Sequence, residues 1–343
     1  MSRINKAEAL KLLKNSNIIE LGKLADSVRR EKHPDGIVTF IIDRNINYTN
    51  ICSSKCRFCA FYRNSGEADA FVLTQESLFK KVEETLQLGG TQILIQGGLN
   101  PDLDFDFYLR LLSSIKNRFN IHIHGFSPPE ICFFSDNFDI TVKETILLLK
   151  EAGLDSIPGG GAEILVDRVR EKISPNKISA ERWLEVMEKA HDAGLNSSAT
   201  MMFGTIETDE EIIEHLFKLR SLQDKTGGFR AFIPWNFQSK NTKLNSRNTY
   251  GHYYLKILAV SRIVLDNFDN IQTSWVTQGS KMAQAALAFG ANDFGSTMIE
   301  ENVVKAAGTC YSMVSENEMV NLIRAAGFKP AQRLNNYNII KFY

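Results

Sequence analysis

The chain has 343 residues, 43% hydrophobic and 23% charged, a globular composition with room for a large core. Its 40 Lys and Arg balance 40 Asp and Glu, so no basic surplus is on hand to neutralise nucleic-acid phosphates. The five cysteines are odd in number and mostly clustered, unlike a disulfide framework, no apolar run approaches a membrane span, and residues 1–6 carry no apolar signal core; the expectation is a cytoplasmic protein without a nucleic-acid or membrane partner.

Residues 6–32 read as two short helices, with Leu21, Leu24, Ala25 and Val28 along one face. Residues 1–36 are expected to form a helical cap over one end of the core, and residues 37–343 the main body of a single domain. Strand candidates at 38–43 and 46–50 follow. Directly after them comes Cys52-x3-Cys56-x2-Cys59, with Phe58 just before the third cysteine. Three soft thiolates on one loop select an iron–sulfur centre, zinc or copper(I). A closed zinc site or an ordinary four-iron cluster takes a fourth protein ligand, and no fourth cysteine lies nearby. The loop therefore points to a centre with one position open to something else.

From there one grammar repeats: strand, loop, amphipathic helix, glycine, strand. Strands are expected at 91–96, 121–125, 154–158, 196–203, 229–237, 271–275 and 291–295. Helix faces fall at Tyr108, Leu111, Leu112 and Ile115, at Trp183, Val186, Met187 and Ala190, and at Ile212, Leu216 and Leu219. Thr141 with Glu144, Thr208 with Glu211 and Ser315 with Glu318 read as capping boxes. The helix-to-strand joints carry Gly89, Gly153, Gly194, Gly290 and Gly327, where a left-handed cap suits glycine. About eight such strands predict an α/β fold, a (β/α)8 TIM-type barrel with a C-terminal extension; a doubly wound open sheet is the alternative.

The cysteine loop resembles the signature of the radical S-adenosylmethionine (SAM) enzymes. Residues 43–50, Cys59-Ala60-Phe61-Tyr62, residues 157–163 and residues 290–293 are similar to the futalosine-pathway enzymes of menaquinone biosynthesis. Residues 200–204, 223–229 and 231–235, and a tail opening Pro330-Ala331-Gln332-Arg333, look like the cyclase type within that group. Leu334-Asn335-Asn336-Tyr337 and Ser296 depart from its usual pattern. The resemblance implies that Cys52, Cys56 and Cys59 hold a [4Fe–4S] cluster, and that SAM takes the open iron. A reduced cluster would cleave SAM, and the resulting 5′-deoxyadenosyl radical would take the C4′ hydrogen of dehypoxanthine futalosine. The sugar radical would add to the aromatic ring, giving cyclic dehypoxanthine futalosine. Phe58, Tyr62, Gln96, Gly97, Gly98 and Glu163 are implied to bind SAM, and an electron donor such as flavodoxin or ferredoxin to reduce the cluster. Aminofutalosine synthase and a subunit of the deazaflavin precursor synthase remain alternatives within the superfamily. An electron-transfer iron–sulfur protein or a structural zinc protein remains one outside it.

The candidate catalytic residues are His122, His124, Glu163 and Asp293. His122 and His124 alternate with isoleucines and share one strand face, where an imidazole can accept a proton. Glu163 is expected to open a helix, where an acid also suits the dipole. Glu207 has the same two readings. Asp293 is expected at the end of the last barrel strand. Trp235, Phe237 and Trp275 can pack on aromatic rings. Arg63, Lys281 and Arg333 are candidate donors to a substrate carboxylate. Cys132 and Cys310 read as structural.

Overall fold

The computed structural model describes residues 3–245, 249–309 and 313–343; Cys310 lies outside them. Helices α1 (Lys6–Asn15) and α2 (Ile18–Lys32) come first, capped by Asn5 and Asn17 side chains that accept N–H groups of the first turn. Strands β1 (Ile37–Ile41) and β2 (Asp43–Asn47) are two halves of one extended run. Helix α3 (Gln75–Gln87) leads to β3 (Gln92–Gln96), and α4 (Phe105–Arg118) to β4 (His122–Gly125). Then α5 (Pro128–Asn137) and α6 (Val142–Glu151) lead to β5 (Ser156–Ile157). Next, α7 (Asp167–Ile173) and α8 (Ala180–Asp192) lead to β6 (Asn196–Phe203). Helix α9 (Asp209–Thr226) joins β6 to β7 (Phe229–Asn236), and α10 (Gly251–Val264) leads to β8 (Asn270–Ile271). Helices α11 (Trp275–Gln278) and α12 (Ser280–Leu287) precede β9 (Asp293–Ser296). The chain ends with α13 (Val303–Ala306), α14 (Glu316–Ala325), β10 (Lys329–Arg333) and β11 (Ile339–Phe342).

Strands β2 to β8 form one parallel sheet in sequence order. Strand β9 continues it: Thr273 N–H donates to Asp293 O at 2.9 Å, and Asn292 N–H to Ile271 O at 3.1 Å. The other edge of β9 runs parallel to β1. With β1 and β2 counted as one broken strand, eight parallel positions close a ring, as the repeated grammar predicts. Short loops and right-handed crossovers leave the helices outside it. The expected faces of α4 and α8 are the buried ones, because their apolar side chains recur once per turn. Gly89, Gly153, Gly194, Gly290 and Gly327 all adopt positive φ at the joints.

Helix α1 packs on α9 and α10, and α2 lies along α10. Arg29 of α2 sits over the Phe328 ring at 4.9 Å, which ties the N-terminal helices to the lower end of the barrel, where the strands begin. Three local readings change. The strand expected at 271–275 ends at Ile271, and Trp275 opens α11, where its Nε1–H donates to Ser296 O at 2.8 Å. Glu163 does not open a helix: it sits in a loop at φ 40°, and α7 begins only at Asp167. Asp293 begins β9 rather than ending it. The C-terminal extension is a hairpin. Strand β10 joins β1 in parallel, and β11 pairs antiparallel with β10.

Candidate active site

The cysteine loop leaves the upper end of β2 and is fixed to the barrel by main-chain bonds. Gly98 N–H donates to Thr49 O at 3.0 Å, Ser53 N–H to Leu99 O at 2.9 Å, and Cys52 N–H to Arg63 O at 3.1 Å. Below it lies a buried carboxylate that sequence reasoning missed. Glu130 Oε1 accepts Tyr48 O–H at 2.7 Å and Gly97 N–H at 3.0 Å, and its Oε2 accepts Ser127 N–H at 2.7 Å. One side chain thus joins the base of the loop, the end of β3 and the start of α5. The signal was present as Ser127-Pro128-Pro129-Glu130, a capping box with proline in the first turn.

Burial pushes the Cys56 and Cys59 thiols up, opposed at Cys56 by the charge of Lys177 and at Cys59 by the N–H groups of Phe61 and Tyr62. Ser54 Oγ lies 3.1 Å from Cys56 Sγ. Among the described residues, no three His, Cys, Asp or Glu side chains are drawn together for a single metal ion. Three thiols on one loop suit an iron–sulfur cluster, where each takes a different iron.

Beside Cys59 opens a cavity of about 400 Å³ that runs down the barrel axis. Its upper wall includes Phe58, Gln96, Gly159, Gly160, Gly161 and Glu163. Glu163 Oε1 accepts from Lys177 Nζ at 2.9 Å, and Lys177 in turn lies over the Phe58 ring at 5.0 Å. Glu163 Oε2 is buried without a hydrogen-bond partner; Arg170 Nη1 stands 3.7 Å away. A Cβ on Gly160 would come within 2.6 Å of Gln96 Nε2, so the glycine backbone itself forms that wall. A buried carboxylate oxygen seeking a donor, next to a bare glycine wall and a thiol loop, fits a polar cofactor such as SAM. A Cβ on Gly97 or Gly98 would strike the Tyr48 ring or Ile51 O. The two glycines let β3 touch the loop. Tyr62 does not line the cavity, and its hydroxyl accepts from Lys243 Nζ at 2.6 Å.

Trp235, Phe237 and Trp275 all line the cavity. His124 does too, and its Nδ1 lies 2.7 Å from Ser156 Oγ; His122 Nε2 reaches the same hydroxyl at 2.7 Å from outside the lining. The expected shared face is therefore present. Asp293 is not at the cavity. It is fully buried, takes Arg333 Nε at 2.5 Å and Nη2 at 3.1 Å, and accepts Thr39 Oγ1–H at 2.5 Å. Glu207 is likewise committed to its own loop, accepting the N–H groups of Gly204 and Thr205. Among the candidate donors, Arg63 pairs with Asp69, Arg333 with Asp293, and Lys281 lies outside the lining. Sequence reasoning missed Tyr337, which lines the cavity with a buried, unpartnered hydroxyl and lies under the Arg333 guanidinium at 3.9 Å. Cys132 is a buried free thiol on α5.

A barrel of this topology with a three-cysteine loop above its axis defines a radical SAM enzyme, and residues 46–219 match the radical SAM superfamily. Residues 226–342 match the CofH/MqnC C-terminal region. Across 99% of its length the chain is 46% identical to a cyclic dehypoxanthine futalosine synthase of Halalkalibacterium halodurans, covering 92% of that protein. A synthase of the same name from Streptomyces coelicolor is 43% identical over 98% of this chain and 85% of its own. A 5-amino-6-(D-ribitylamino)uracil–L-tyrosine 4-hydroxyphenyl transferase of Methanocaldococcus jannaschii is 41% identical over 98% and 97%. Methylornithine synthase shares the fold at TM-score 0.76 and 17% identity, over 96% of this chain and 94% of its own. The hydrogenase maturase HydG of Carboxydothermus hydrogenoformans does so at 0.76 and 18%, over 98% and 77%. The chain belongs to the radical SAM superfamily, in the family that holds the cyclic dehypoxanthine futalosine synthases.

Proposed function

We infer that this protein is a radical SAM cyclase that converts dehypoxanthine futalosine to cyclic dehypoxanthine futalosine in menaquinone biosynthesis. The observation that carries the reaction is likeness of 46% and 43% to two synthases of that name over nearly the whole chain. The site supplies the class of chemistry.

Cys52, Cys56 and Cys59 hold the [4Fe–4S] cluster. Glu163 and the backbone of residues 159–161 hold SAM, with Phe58 and Gln96 beside it. When bound, these groups supply the one-electron chemistry that removes hydrogen from C4′ of the substrate sugar. The remaining work falls to the chain. Trp235 and Phe237 wall the cavity against water and offer faces to the substrate's aromatic ring. Arg333 and Tyr337 line the cavity, and we assign this end of it to the substrate carboxylate. Ring closure removes two hydrogens in total, so after C4′ is activated the ring must still lose one proton and one electron. His124 lines the cavity together with the carboxylates of Asp43, Glu163 and Glu301, and it is the imidazole we assign to take the ring proton. Asp293, paired with Arg333 and outside the cavity lining, is less well placed for that role.

We also propose that flavodoxin or ferredoxin supplies the electron and that the enzyme is cytoplasmic. No described helix is long and apolar enough to cross a membrane. The methanogen relatives keep a second reaction in view, with tyrosine and a ribitylaminouracil as substrates.

The test offers both substrate sets in parallel to anaerobically reconstituted protein with SAM and reductant. The protein is expected to be brown with about four irons per chain. It should turn dehypoxanthine futalosine into a product two hydrogens lighter and leave tyrosine unchanged. Turnover of tyrosine with the ribitylaminouracil, and none of dehypoxanthine futalosine, would overturn the assignment.

A further inference from the structure

We propose that Ser156 links His124 to His122 as a proton wire, which carries the proton shed by the substrate's ring from the cavity to the lower mouth of the barrel. The proposal rests on the cyclase reading, because only a reaction that strips a ring proton inside the barrel needs such an exit.

The geometry is specific. His124 stands on β4 with its ring lining the cavity. Its Nδ1 lies 2.7 Å from Ser156 Oγ on the neighbouring strand β5, and the same oxygen lies 2.7 Å from His122 Nε2. A hydroxyl has one proton and two lone pairs. In the proposed wire Ser156 donates to His122 Nε2 and accepts N–H from His124 Nδ1, which makes the three groups a directed chain. Ser156 is buried, while His122, at the first position of β4, is partly exposed. The wire thus starts at the cavity and ends toward solvent.

The charges around it favour outward passage. Burial lowers the His124 pKa to about 3, with His122 and Arg333 adding to the shift, so a proton does not rest there. Burial also lowers His122, but Asp155 opposes it, tempered by Lys116, which Asp155 holds in an ion pair. At His124 the shift is opposed by a hydrogen bond to the Ser156 backbone rather than by a charge.

The transfer balances without a further reactant. The ring C–H bond breaks heterolytically and its proton goes to His124 Nε2. The Nδ1 proton of His124 passes to Ser156 Oγ, the Ser156 hydroxyl proton to His122 Nε2, and the Nδ1 proton of His122 to water. The ring keeps the bonding pair, and the one electron it must still lose would leave in a separate step, to an oxidised iron–sulfur centre of the kind that Cys52, Cys56 and Cys59 would hold. Reverse rotation of the hydroxyl and tautomer exchange in the two rings reset the chain.

The experiment separates hydrogen abstraction from proton loss. Ser156→Ala removes the link, Ser156→Thr keeps a hydroxyl, and His122→Gln removes the exit base. Each is reconstituted, checked for iron content and circular dichroism, and assayed for 5′-deoxyadenosine and for cyclic product, with and without deuterium at the departing ring position. Ser156→Ala and His122→Gln should form 5′-deoxyadenosine within about twofold of the parent. They should lose about tenfold or more in product and acquire a ring-deuterium isotope effect. Ser156→Thr should recover most of the product. Parallel loss of 5′-deoxyadenosine and product in all three variants would make the residues structural, and full product in Ser156→Ala would also overturn the wire. If the parent chain forms no cyclic product, the cyclase reading itself fails and takes the wire with it.

Discussion

His215 shows how this barrel handles an ionisable group it cannot solvate. It is fully buried on α9, and its Nδ1 accepts the Leu165 N–H at 3.0 Å. Burial lowers its pKa to about 3, and Arg170 and Lys218 push the same way. In the unfolded chain the ring titrates near ~6.5. Below that value the unfolded state binds a proton that the folded state refuses. The group's contribution is therefore full above about 6.5 and shrinks by about 1.4 kcal/mol per pH unit, until the folded ring also titrates near about 3. His215→Asn keeps an acceptor for Leu165. Urea unfolding between roughly pH 6 and pH 4 should give a shallower loss of stability in the variant, by about that slope. Parallel slopes in the two proteins would contradict the assignment. At this scale, residue type and strand alternation already placed His124 beside Ser156's partner His122. They did not separate Glu163 from Asp293. Both are acids near strand ends, and what distinguishes them is the far end of the chain: Arg333 reaches back to claim Asp293, while Glu163 keeps one oxygen unpartnered. Pairings across tens or hundreds of residues leave no local mark.

The cysteine loop and β3 work as one element. Their contact leaves no room for a side chain at Gly98, whose Cβ would lie 2.1 Å from Ile51 O and 2.8 Å from Cys52 Cβ. Ile51 O belongs to the main chain and cannot swing aside, so a methyl group there must push the first ligand's loop off the strand. Gly98→Ala is therefore expected to leave the barrel folded and to bind well under the about four irons of one intact cluster. Iron analysis after anaerobic reconstitution, with circular dichroism alongside, checks this. A variant with full iron would show that the loop holds its shape without β3. The glycine pair was readable from the sequence, but its packing against Tyr48 and Ile51 was not. The capping boxes at Thr141 and Thr208 were legible outright, because both partners lie within four residues.

For the whole molecule, the repeating strand–helix–glycine grammar made the barrel legible, since each unit is local. Closure was not: β9 finds β1 about 250 residues away in sequence, as the register of Thr39 with Asp293 shows. The hairpin of β10 and β11 was likewise hidden, although it brings Arg333 and Tyr337 to the cavity. These long-range closures put a thiol loop at one end of a single cavity, an aromatic wall along it and a basic side chain below. The central claim is that this cavity runs a radical cyclisation at C4′. The direct measurement uses dehypoxanthine futalosine deuterated at C4′. The enzyme should transfer that deuterium into 5′-deoxyadenosine, with one cyclic product formed per label transferred. Cyclic product without deuterium in 5′-deoxyadenosine, or label transfer with no cyclic product, would contradict the account.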